Sequence, residues 1–146
     1  MDPKKIYLIQ TDTTVGLASQ NREALMAAKG RKGDKPFIVT VAGCNELKKL
    51  TRVPKKKRKL VRRAKKTTFV YPHKDLALRV VHGGDYYEFL KPFGWMYSTS
   101  ANEAGKGFDL AFAKSVADET IGAEDELKEG KASKIILLAK KMKKIR

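Results

Sequence analysis

The sequence predicts an α/β protein that forms a single domain over residues 1–146, with helices flanking a sheet. Short apolar runs that are typical of buried strands alternate along the chain with stretches whose apolar residues recur at helical spacing. The length of 146 residues and the hydrophobic content of 42% are sufficient for one hydrophobic core. We therefore expect one folded unit with a sheet at its centre.

The predicted helices have recognisable starts and ends. Asn21 can cap a helix that runs to about Ala28, and Gly30 is suited to end it. Pro54 suits the first turn of a basic helix that extends to about Lys66. The predicted helices span residues 22–28, 45–50, 54–66, 86–90 and 110–117.

The predicted strands are the apolar runs at residues 6–9, 37–41, 67–71, 76–81 and 135–138. A turn at Lys140 and Lys141 can lead into a last strand that ends at Arg146. Residues 118–130 are predicted to be loop or short strand. The first strand delivers the polar segment 11–14 to its C-terminal end, which is where open α/β sheets bind ligands.

The chain is strongly basic, with 32 Lys and Arg residues against 16 Asp and Glu and a net charge of +16. Such a charge attracts polyanions, including nucleic acid, although lysine-rich compositions also occur as a general habit of some bacterial proteomes. The basic run 55–66 is either a solvated helix face or a contact for a phosphate backbone.

Several classes of protein are not favoured by the composition. Cys44 is the only cysteine, so no internal disulfide forms, and His73 and His82 are too few for a familiar zinc or Cys/His catalytic pattern. No apolar run is long enough to span a membrane or to act as a secretory signal. We expect a cytoplasmic protein with no membrane contact.

Three short stretches carry the candidate binding chemistry. The loop 29–36 combines glycines with four cations and can approach phosphates, although a solvated turn has the same composition. The segments 11–14 and 98–102 are rich in hydroxyl and amide groups, which can contact phosphate or carboxylate oxygens or can simply form polar loops. Arg79, within the apolar strand 76–81, must either reach the surface or meet an anion.

Together these stretches resemble the motifs of the YrdC-like family. Residues 11–17 resemble its Pro-Thr-(Asp/Glu)-Thr-Val-Tyr-Gly-Leu motif, residues 29–36 its Lys-x-Arg loop, and residues 98–105 its Ser-Thr-Ala/Ser-Ala-Asn-x-Ser-Gly loop. Weaker similarities place Arg79 in a Val-Arg-x-Pro strand, Ser133 in a Ser-Thr-Ile-Val segment, and Arg146 in a C-terminal Ile-x-Arg. The order and spacing agree over nearly the whole chain.

The resemblance implies an open, twisted sheet of mixed direction with a basic concave face. It also implies an L-threonylcarbamoyladenylate synthase, a nucleotidyltransferase that converts L-threonine, bicarbonate and ATP into threonylcarbamoyl-AMP and pyrophosphate for tRNA modification. ATP would be the nucleotide substrate, accompanied by Mg²⁺, and the proteins of the tRNA threonylcarbamoyl-transfer machinery would be partners. The implied catalytic residues are Lys29 and Arg31, and the implied substrate-binding residues are Thr11, Thr13, Arg79, Ser98, Ser100, Asn102, Ser133 and Arg146.

The chain also departs from this family pattern. Gln10 and Val15 replace the proline and the aromatic residue of the first motif, and Lys65 and Lys66 replace a Gly-Pro pair. An alternative hypothesis is therefore a non-catalytic module that binds tRNA or double-stranded RNA through its basic face. A basic ribosomal protein is a third reading, which the alternating helices and strands disfavour.

Overall fold

A computed structural model of the chain describes residues 1–31, 36–74, 76–139 and 142–146. The strands are β1 (Tyr7–Gln10), β2 (Val15–Ser19), β3 (Ile38–Ala42), β4 (Thr67–Tyr71), β5 (Leu76–Val81), β6 (Trp95–Ser100), β7 (Glu119–Thr120), β8 (Lys134–Leu137) and β9 (Lys143–Lys144). The helices are α1 (Arg22–Lys29), α2 (Cys44–Leu50), α3 (Arg58–Arg63), α4 (Asp85–Leu90) and α5 (Leu110–Val116). Short 3-10 turns lie at Lys55–Lys57 and Glu124–Glu126.

The nine strands of the described residues form one open sheet in the order β7-β1-β2-β6-β3-β5-β4-β8-β9. Its directions are mixed, because β3 pairs with β5 in parallel whereas β6 is antiparallel to both β2 and β3. The predicted α/β class with an open mixed sheet and flanking helices is therefore confirmed. The part of the chain that the structure describes contains no helix long and apolar enough to cross a membrane.

One face of the sheet is covered along much of its width by helices. Leu25 of α1 and Ala113 of α5 pack with Leu8 and Leu17 on one half of this face. On the other half, Leu47 of α2 and Val61 of α3 pack on strands β3, β4 and β5. We call this surface the covered face.

The opposite face of the sheet is only partly covered. At one end, Tyr86, Phe89 and Leu90 of α4 pack against β1, β2 and β6 through a third apolar cluster. Beyond that cluster the side chains on the same face become polar. Thr40 of β3, Arg79 of β5 and Thr68 of β4 are direct neighbours in the strand register. Ser98 lies on the same face of β6, two residues after Met96, which is the partner of Thr40. We call this the polar part of the sheet, although all four of these residues are buried.

Helix α1 is confirmed with both of its predicted ends. The Asn21 side chain accepts a hydrogen bond from the backbone N–H of Ala24 at 3.1 Å, which satisfies one of the donors that every helix start leaves free. Gly30 ends the helix with φ of 63°, a left-handed conformation that glycine adopts without a steric penalty.

Two strands were not predicted from the sequence, and one helix is shorter than predicted. The sequence predicts no strand at 98–102, where it allows a ligand-binding segment or a plain polar loop, whereas Ser98, Thr99 and Ser100 lie in β6. Strand β2 was missed because it contains Gly16, Ala18 and Ser19, which have low strand propensity. The basic helix predicted for 54–66 is a 3-10 turn followed by the six residues of α3.

The final hairpin is partly confirmed. Strand β9 pairs antiparallel with β8, as the predicted return of the chain requires. The turn residues proposed for it, Lys140 and Lys141, lie outside the described residues. So do residues 32–35 of the predicted cationic loop.

Candidate functional site

A cavity of about 270 Å³ opens on the polar part of the sheet. Its walls come from the β1–β2 loop, the end of β6, the start of β3, and the segments that flank β8. Eight of the ten predicted site residues line it: Thr11, Thr13, Arg31, Arg79, Ser98, Ser100, Ser133 and Arg146. Segments that are far apart in sequence therefore meet at one place.

The β1–β2 loop is held in one conformation by the hydroxyl of Thr11. This hydroxyl oxygen accepts hydrogen bonds from the backbone N–H groups of Thr13 and Thr14, both at 3.2 Å. The same hydroxyl donates to the Thr14 carbonyl at 2.5 Å. These bonds satisfy backbone groups that have no partner strand in the loop, so the conformation of the loop is fixed before a ligand binds.

Gly16 allows this loop to approach β6 closely. A Cβ atom on Gly16 would lie 2.9 Å from the Thr11 methyl carbon and 3.1 Å from the Thr99 carbonyl oxygen. Any side chain here would push the loop away from the end of β6. The glycine therefore sets the distance between the two polar walls of the cavity.

A short strap, residues 128–130, fastens the β1–β2 loop from outside. The Lys128 backbone N–H donates to the Gln10 side-chain oxygen at 2.7 Å, and the Gly130 N–H donates to the Thr14 hydroxyl at 2.9 Å. The Val15 N–H in turn donates to the Lys128 carbonyl at 3.2 Å. Gln10, which departs from the family pattern, therefore has a definite structural partner.

Arg79 meets an anion of the chain itself. Its guanidinium donates to the Asp12 carboxylate, with distances of 2.8 Å from Nη2 and 3.2 Å from Nε to Oδ1. The Arg79 side chain is 4% exposed and that of Asp12 is 16% exposed. Removing a charge from water is costly, and the Asp12 carboxylate compensates this cost for the buried Arg79 guanidinium.

A buried tyrosine lies behind the polar floor of the cavity. The hydroxyls of Tyr86 and Thr40 form a hydrogen bond of 2.7 Å, and the Thr40 hydroxyl also donates to the Met96 carbonyl at 3.1 Å. Burial is the main cause that raises the pKa of Tyr86, so its hydroxyl stays protonated. This contact ties α4 to β3 beneath the cavity.

At the other end of the cavity, Arg146 holds the segment before β8. Its Nε donates to the Ser133 carbonyl at 2.9 Å, and its Nη2 donates to the Ser133 hydroxyl at 3.1 Å. The Ser133 hydroxyl also bonds the hydroxyl of Thr68 at 2.8 Å. Burial, and then the nearby positive charge of Arg79, lower the pKa of Arg146.

Arg31 forms the third cationic wall. Its Nη2 lies 3.4 Å from the Thr99 hydroxyl oxygen, and its guanidinium carbon lies 4.7 Å from the centre of the Phe37 ring. Burial lowers its pKa. The cavity thus brings together three guanidinium groups, of which Asp12 pairs with one, and this arrangement favours an anionic ligand.

Lys29 and Asn102 are not brought into the cavity. Lys29 is a buried residue, 5% exposed, and its ammonium donates to the carbonyl oxygens of Ser100 (2.9 Å) and Asn102. The Asn102 amide nitrogen donates to the carbonyls of Glu103 and Lys106 at 3.1 and 2.7 Å. Both residues therefore fix the chain just beyond β6, where Ser100 enters the cavity. Burial, and then the charge of Arg31, lower the pKa of Lys29 to about 8.

Sequence reasoning missed Asp12, Thr40, Thr68 and Tyr86 as members of this network. Asp12 belongs to the first motif, but the sequence assigns it no role. Arg79 within the apolar strand β5 is a signal that an acidic partner exists. Thr40 and Thr68 are polar residues within apolar strands, which is a comparable signal. Nothing in the sequence indicates which distant residue each of them meets.

A dedicated metal site is not formed by the described residues. They contain no group of three His, Cys, Asp or Glu side chains that could hold a metal ion. The Asp12 carboxylate is already bonded to Arg79. The donors that the described residues offer therefore do not fit a resident magnesium ion, which prefers carboxylate and water oxygens.

Comparisons with known proteins agree on one family. The family described as "Sua5_yciO_yrdC: Telomere recombination" matches residues 2–146. No curated protein matches the sequence. The fold is similar to that of a Sua5 from P. abyssi complexed with L-threonine, with a TM-score of 0.74 and 20% identity over 97% of this chain and 50% of that one.

Other structures extend the similarity. YciO from E. coli has a TM-score of 0.78 with 17% identity over 98% of this chain and 82% of that one. HypF from T. kodakarensis has a TM-score of 0.76 with 18% identity over 97% of this chain and 22% of that one. The chain spans about half the length of the P. abyssi Sua5 that it resembles. The family match over residues 2–146 and these shared folds lead to one conclusion: the chain belongs to the Sua5/YciO/YrdC family.

Proposed function

We propose that the chain is an L-threonylcarbamoyladenylate synthase that supplies the activated intermediate for tRNA modification in the cytoplasm. In this reaction the threonine amine and bicarbonate first give a carbamate and water. A carbamate oxygen then bonds to the α-phosphorus of ATP as the bond between that phosphorus and the pyrophosphate oxygen breaks. The chemistry requires alignment and charge neutralisation and needs no enzyme nucleophile.

The observation that carries the proposal is the meeting of two hydroxyl-bearing segments and three arginines around one cavity. A surface that only attracts RNA needs cations, whereas this cavity also has short polar side chains at fixed distances. Its volume of about 270 Å³ lies just below the range of roughly 300–1,000 Å³ for ligand pockets. We infer that it encloses the amino acid and the α-phosphate, with the rest of the nucleotide outside.

The residues have separate roles in this proposal. Thr11 and Thr13 contact the threonine or its carbamate, since they lie on the preorganised loop beside Gly16. Ser98 and Ser100, on β6, orient carbamate and phosphate oxygens. Arg31 neutralises charge that develops on the α-phosphate and the departing pyrophosphate.

The remaining predicted residues support that arrangement. Arg146 contributes positive charge at the nucleotide end, beside the ion pair of Arg79 and Asp12, and Ser133 holds Arg146 in place. Lys29 acts as a positioning residue, together with Asn102, because its ammonium bonds the carbonyls beyond β6. Mg²⁺ belongs to the substrate in this scheme, bound to the phosphates of ATP, and no step depends on a metal ligand of the protein.

The proposal is tested by measuring pyrophosphate release from MgATP with threonine and bicarbonate each added or withheld. Release that requires both co-substrates, with threonylcarbamoyl-AMP found by mass spectrometry, is the expected result. Arg31→Ala is expected to reduce kcat/KM by about 10²–10³-fold, the usual cost of one aimed donor. Release that does not depend on threonine would refute the proposal.

A matched control separates chemistry from folding. Arg63→Ala removes the same side chain type from an exposed position on α3, on the covered face of the sheet. It is expected to keep wild-type activity. Equal losses in both variants would mean that Arg31 acts through overall charge, which contradicts its assigned role.

A further inference from the structure

The strap, residues 128–130, lies between two walls of the candidate site cavity. On one side it bonds the β1–β2 loop, and on the other side the chain reaches Ser133, which lines the cavity, after only two more residues. Strand β8 then begins at Lys134, whose backbone N–H donates to the Lys66 carbonyl at 3.2 Å. The position of the strap therefore affects both of these walls.

The strap is held by residues outside itself. It lies between the 3-10 turn that ends at Glu126 and the start of β8, and belongs to no helix or strand of the described residues. The Gln10 and Thr14 side chains accept hydrogen bonds from the backbone N–H groups of Lys128 and Gly130, at 2.7 and 2.9 Å. We call these two hydrogen bonds the latch. A segment without regular pairing depends on such side-chain acceptors for a fixed conformation.

The strap and the β1–β2 loop are in close contact. A Cβ atom on Gly130 would overlap the Thr13 carbonyl oxygen, so only glycine fits at this position. The Val15 N–H adds a backbone hydrogen bond to the Lys128 carbonyl at 3.2 Å. The two backbones therefore lie directly against each other, and the strap cannot move away from the loop without breaking the latch.

Beyond the strap, the position of Ser133 determines the position of Arg146. Ser133 is 2% exposed, and its hydroxyl bonds the hydroxyl of Thr68 at 2.8 Å. Arg146 donates to the Ser133 carbonyl at 2.9 Å and to the Ser133 hydroxyl at 3.1 Å. Three residues of extended chain, about 11 Å at most, join Gly130 to Ser133. A displacement of the strap is therefore passed on to Ser133 and Arg146.

We propose that Gln10 and Thr14 are positioning residues, which act through the latch to place Ser133 and Arg146 at the nucleotide end of the cavity. This inference rests on the proposed function, in which Arg146 contributes positive charge at that end. Thr11, their neighbour, contacts threonine in the same scheme. It keeps the threonine end in place without the strap, because its three hydrogen bonds lie within the β1–β2 loop. The latch therefore acts on the end of the cavity that is farther along the chain.

The latch also gives a role to one departure from the family pattern. Gln10 stands where the first motif has proline, and a proline side chain offers no acceptor to the Lys128 N–H. The latch is therefore a feature of this chain and not a general consequence of the motif.

The first test is amide hydrogen exchange, followed residue by residue by NMR on the full chain without substrates. The latch variant Gln10→Leu/Thr14→Val removes both acceptors. The control Gln20→Leu/Thr120→Val makes the same two changes at positions that are also half-buried and do not line the cavity. The control also removes a side-chain hydrogen bond, because Gln20 donates to the Trp95 carbonyl at 2.9 Å.

The amides to follow are those of Lys134 and Ile135, which donate to the carbonyls of Lys66 and Arg146 at 3.2 and 2.8 Å. In the latch variant we expect them to exchange about tenfold or more faster than in wild type, and in the control within about twofold of wild type. Wild-type exchange rates in the latch variant would overturn the proposal. Equal acceleration in both variants would overturn it too, since the effect would then be global.

The second test measures pyrophosphate release while the concentrations of ATP and threonine are varied separately. The latch variant is expected to raise KM for ATP by about tenfold, with KM for threonine within about twofold of wild type. A lower kcat with both KM values unchanged would indicate only a loss of folded protein, and it would contradict the positioning role, as would an equal rise of both KM values. A wild-type chain without synthase activity would refute the proposed function, whereas hydrogen exchange, which needs no substrate, still decides whether the latch positions Ser133 and Arg146.

Discussion

Gly16→Ala is the substitution that most directly tests how the candidate site is built. The backbone of Gly16 lies outside the left-handed region, so alanine is allowed there on conformational grounds. The obstacle is space, because the new Cβ would lie 2.9 Å from the Thr11 methyl carbon and 3.1 Å from the Thr99 carbonyl oxygen. The first contact is below the limit seen for real Cβ atoms, so something must move.

Neither neighbour moves without cost. Rotation of the Thr11 side chain would break the three hydrogen bonds of its hydroxyl to Thr13 and Thr14, and the Thr99 carbonyl belongs to a strand in the middle of the sheet. Overpacking of this kind costs about 1–3 kcal/mol, and the lower chain entropy of alanine returns about 0.4–1 kcal/mol. We expect a net loss of about 1–2 kcal/mol, which lowers the Tm by about 2–8 °C.

The control is Gly83→Ala, because a Cβ there meets no atom within 4 Å and the backbone is again outside the left-handed region. This variant is expected to be more stable than wild type by about 0.4–1 kcal/mol. Urea unfolding followed by circular dichroism measures both free energies. The two substitutions should therefore change stability in opposite directions.

The activity of Gly16→Ala adds a second readout. A displacement of the Thr11 loop by a few tenths of an ångström misaligns the proposed contacts to threonine, and we expect kcat/KM to fall about tenfold or more. A Gly16→Ala protein with wild-type stability and wild-type kinetics would refute the claim that this glycine sets the distance between the two walls.

Four further predictions concern buried polar groups. Tyr71→Phe is expected to raise the free energy of unfolding by about 1 kcal/mol, because the Tyr71 hydroxyl is buried without a hydrogen-bond partner among the described residues. Tyr86→Phe should lower the free energy of unfolding by about 1 kcal/mol, because the Tyr86 hydroxyl is hydrogen-bonded to Thr40. Urea unfolding in which both variants change this free energy in the same direction would contradict these two predictions. Lys29 is expected to titrate at about 8 in a ¹³C NMR experiment, below its ordinary pKa of 10.5. Between these two pH values the unfolded chain keeps a proton on Lys29 that the folded chain has lost, so Lys29 makes the free energy of unfolding rise with pH in this range. A titration midpoint of Lys29 near 10.5 would contradict the argument that burial lowers its pKa. Asp12→Asn should reduce the free energy of unfolding by roughly 3 kcal/mol, since it leaves the buried Arg79 charge unpaired; a thermal unfolding curve that matches wild type would count against the ion pair.

Local signals predicted helix α1 well. Asn21 and Gly30 act on the backbone groups nearest to them, so their effect can be deduced without knowing the rest of the fold. Strands β4 and β5 were predicted with their observed ends for a similar reason, because each is a mainly apolar run, rich in β-branched or aromatic residues, with turn residues beside it.

Strands β2 and β6 could not be predicted in the same way. Gly16, Ala18 and Ser98 have no preference for extended structure, and they are extended because β2 pairs with β1 on one side and β6 on the other. That pairing depends on residues far away in the chain. The polar end of β6 therefore had the appearance of a loop in the sequence.

The amino-acid sequence by itself determined the family of this protein, the α/β class, and the three polar or cationic stretches from which the candidate site is assembled. Only the tertiary structure decided that Arg79 pairs with Asp12 and that Lys29 bonds the carbonyls beyond β6. The physical reason is that caps and apolar runs depend on neighbouring residues. Side-chain partners and the faces of a sheet depend on strand pairing between segments that are distant in the chain.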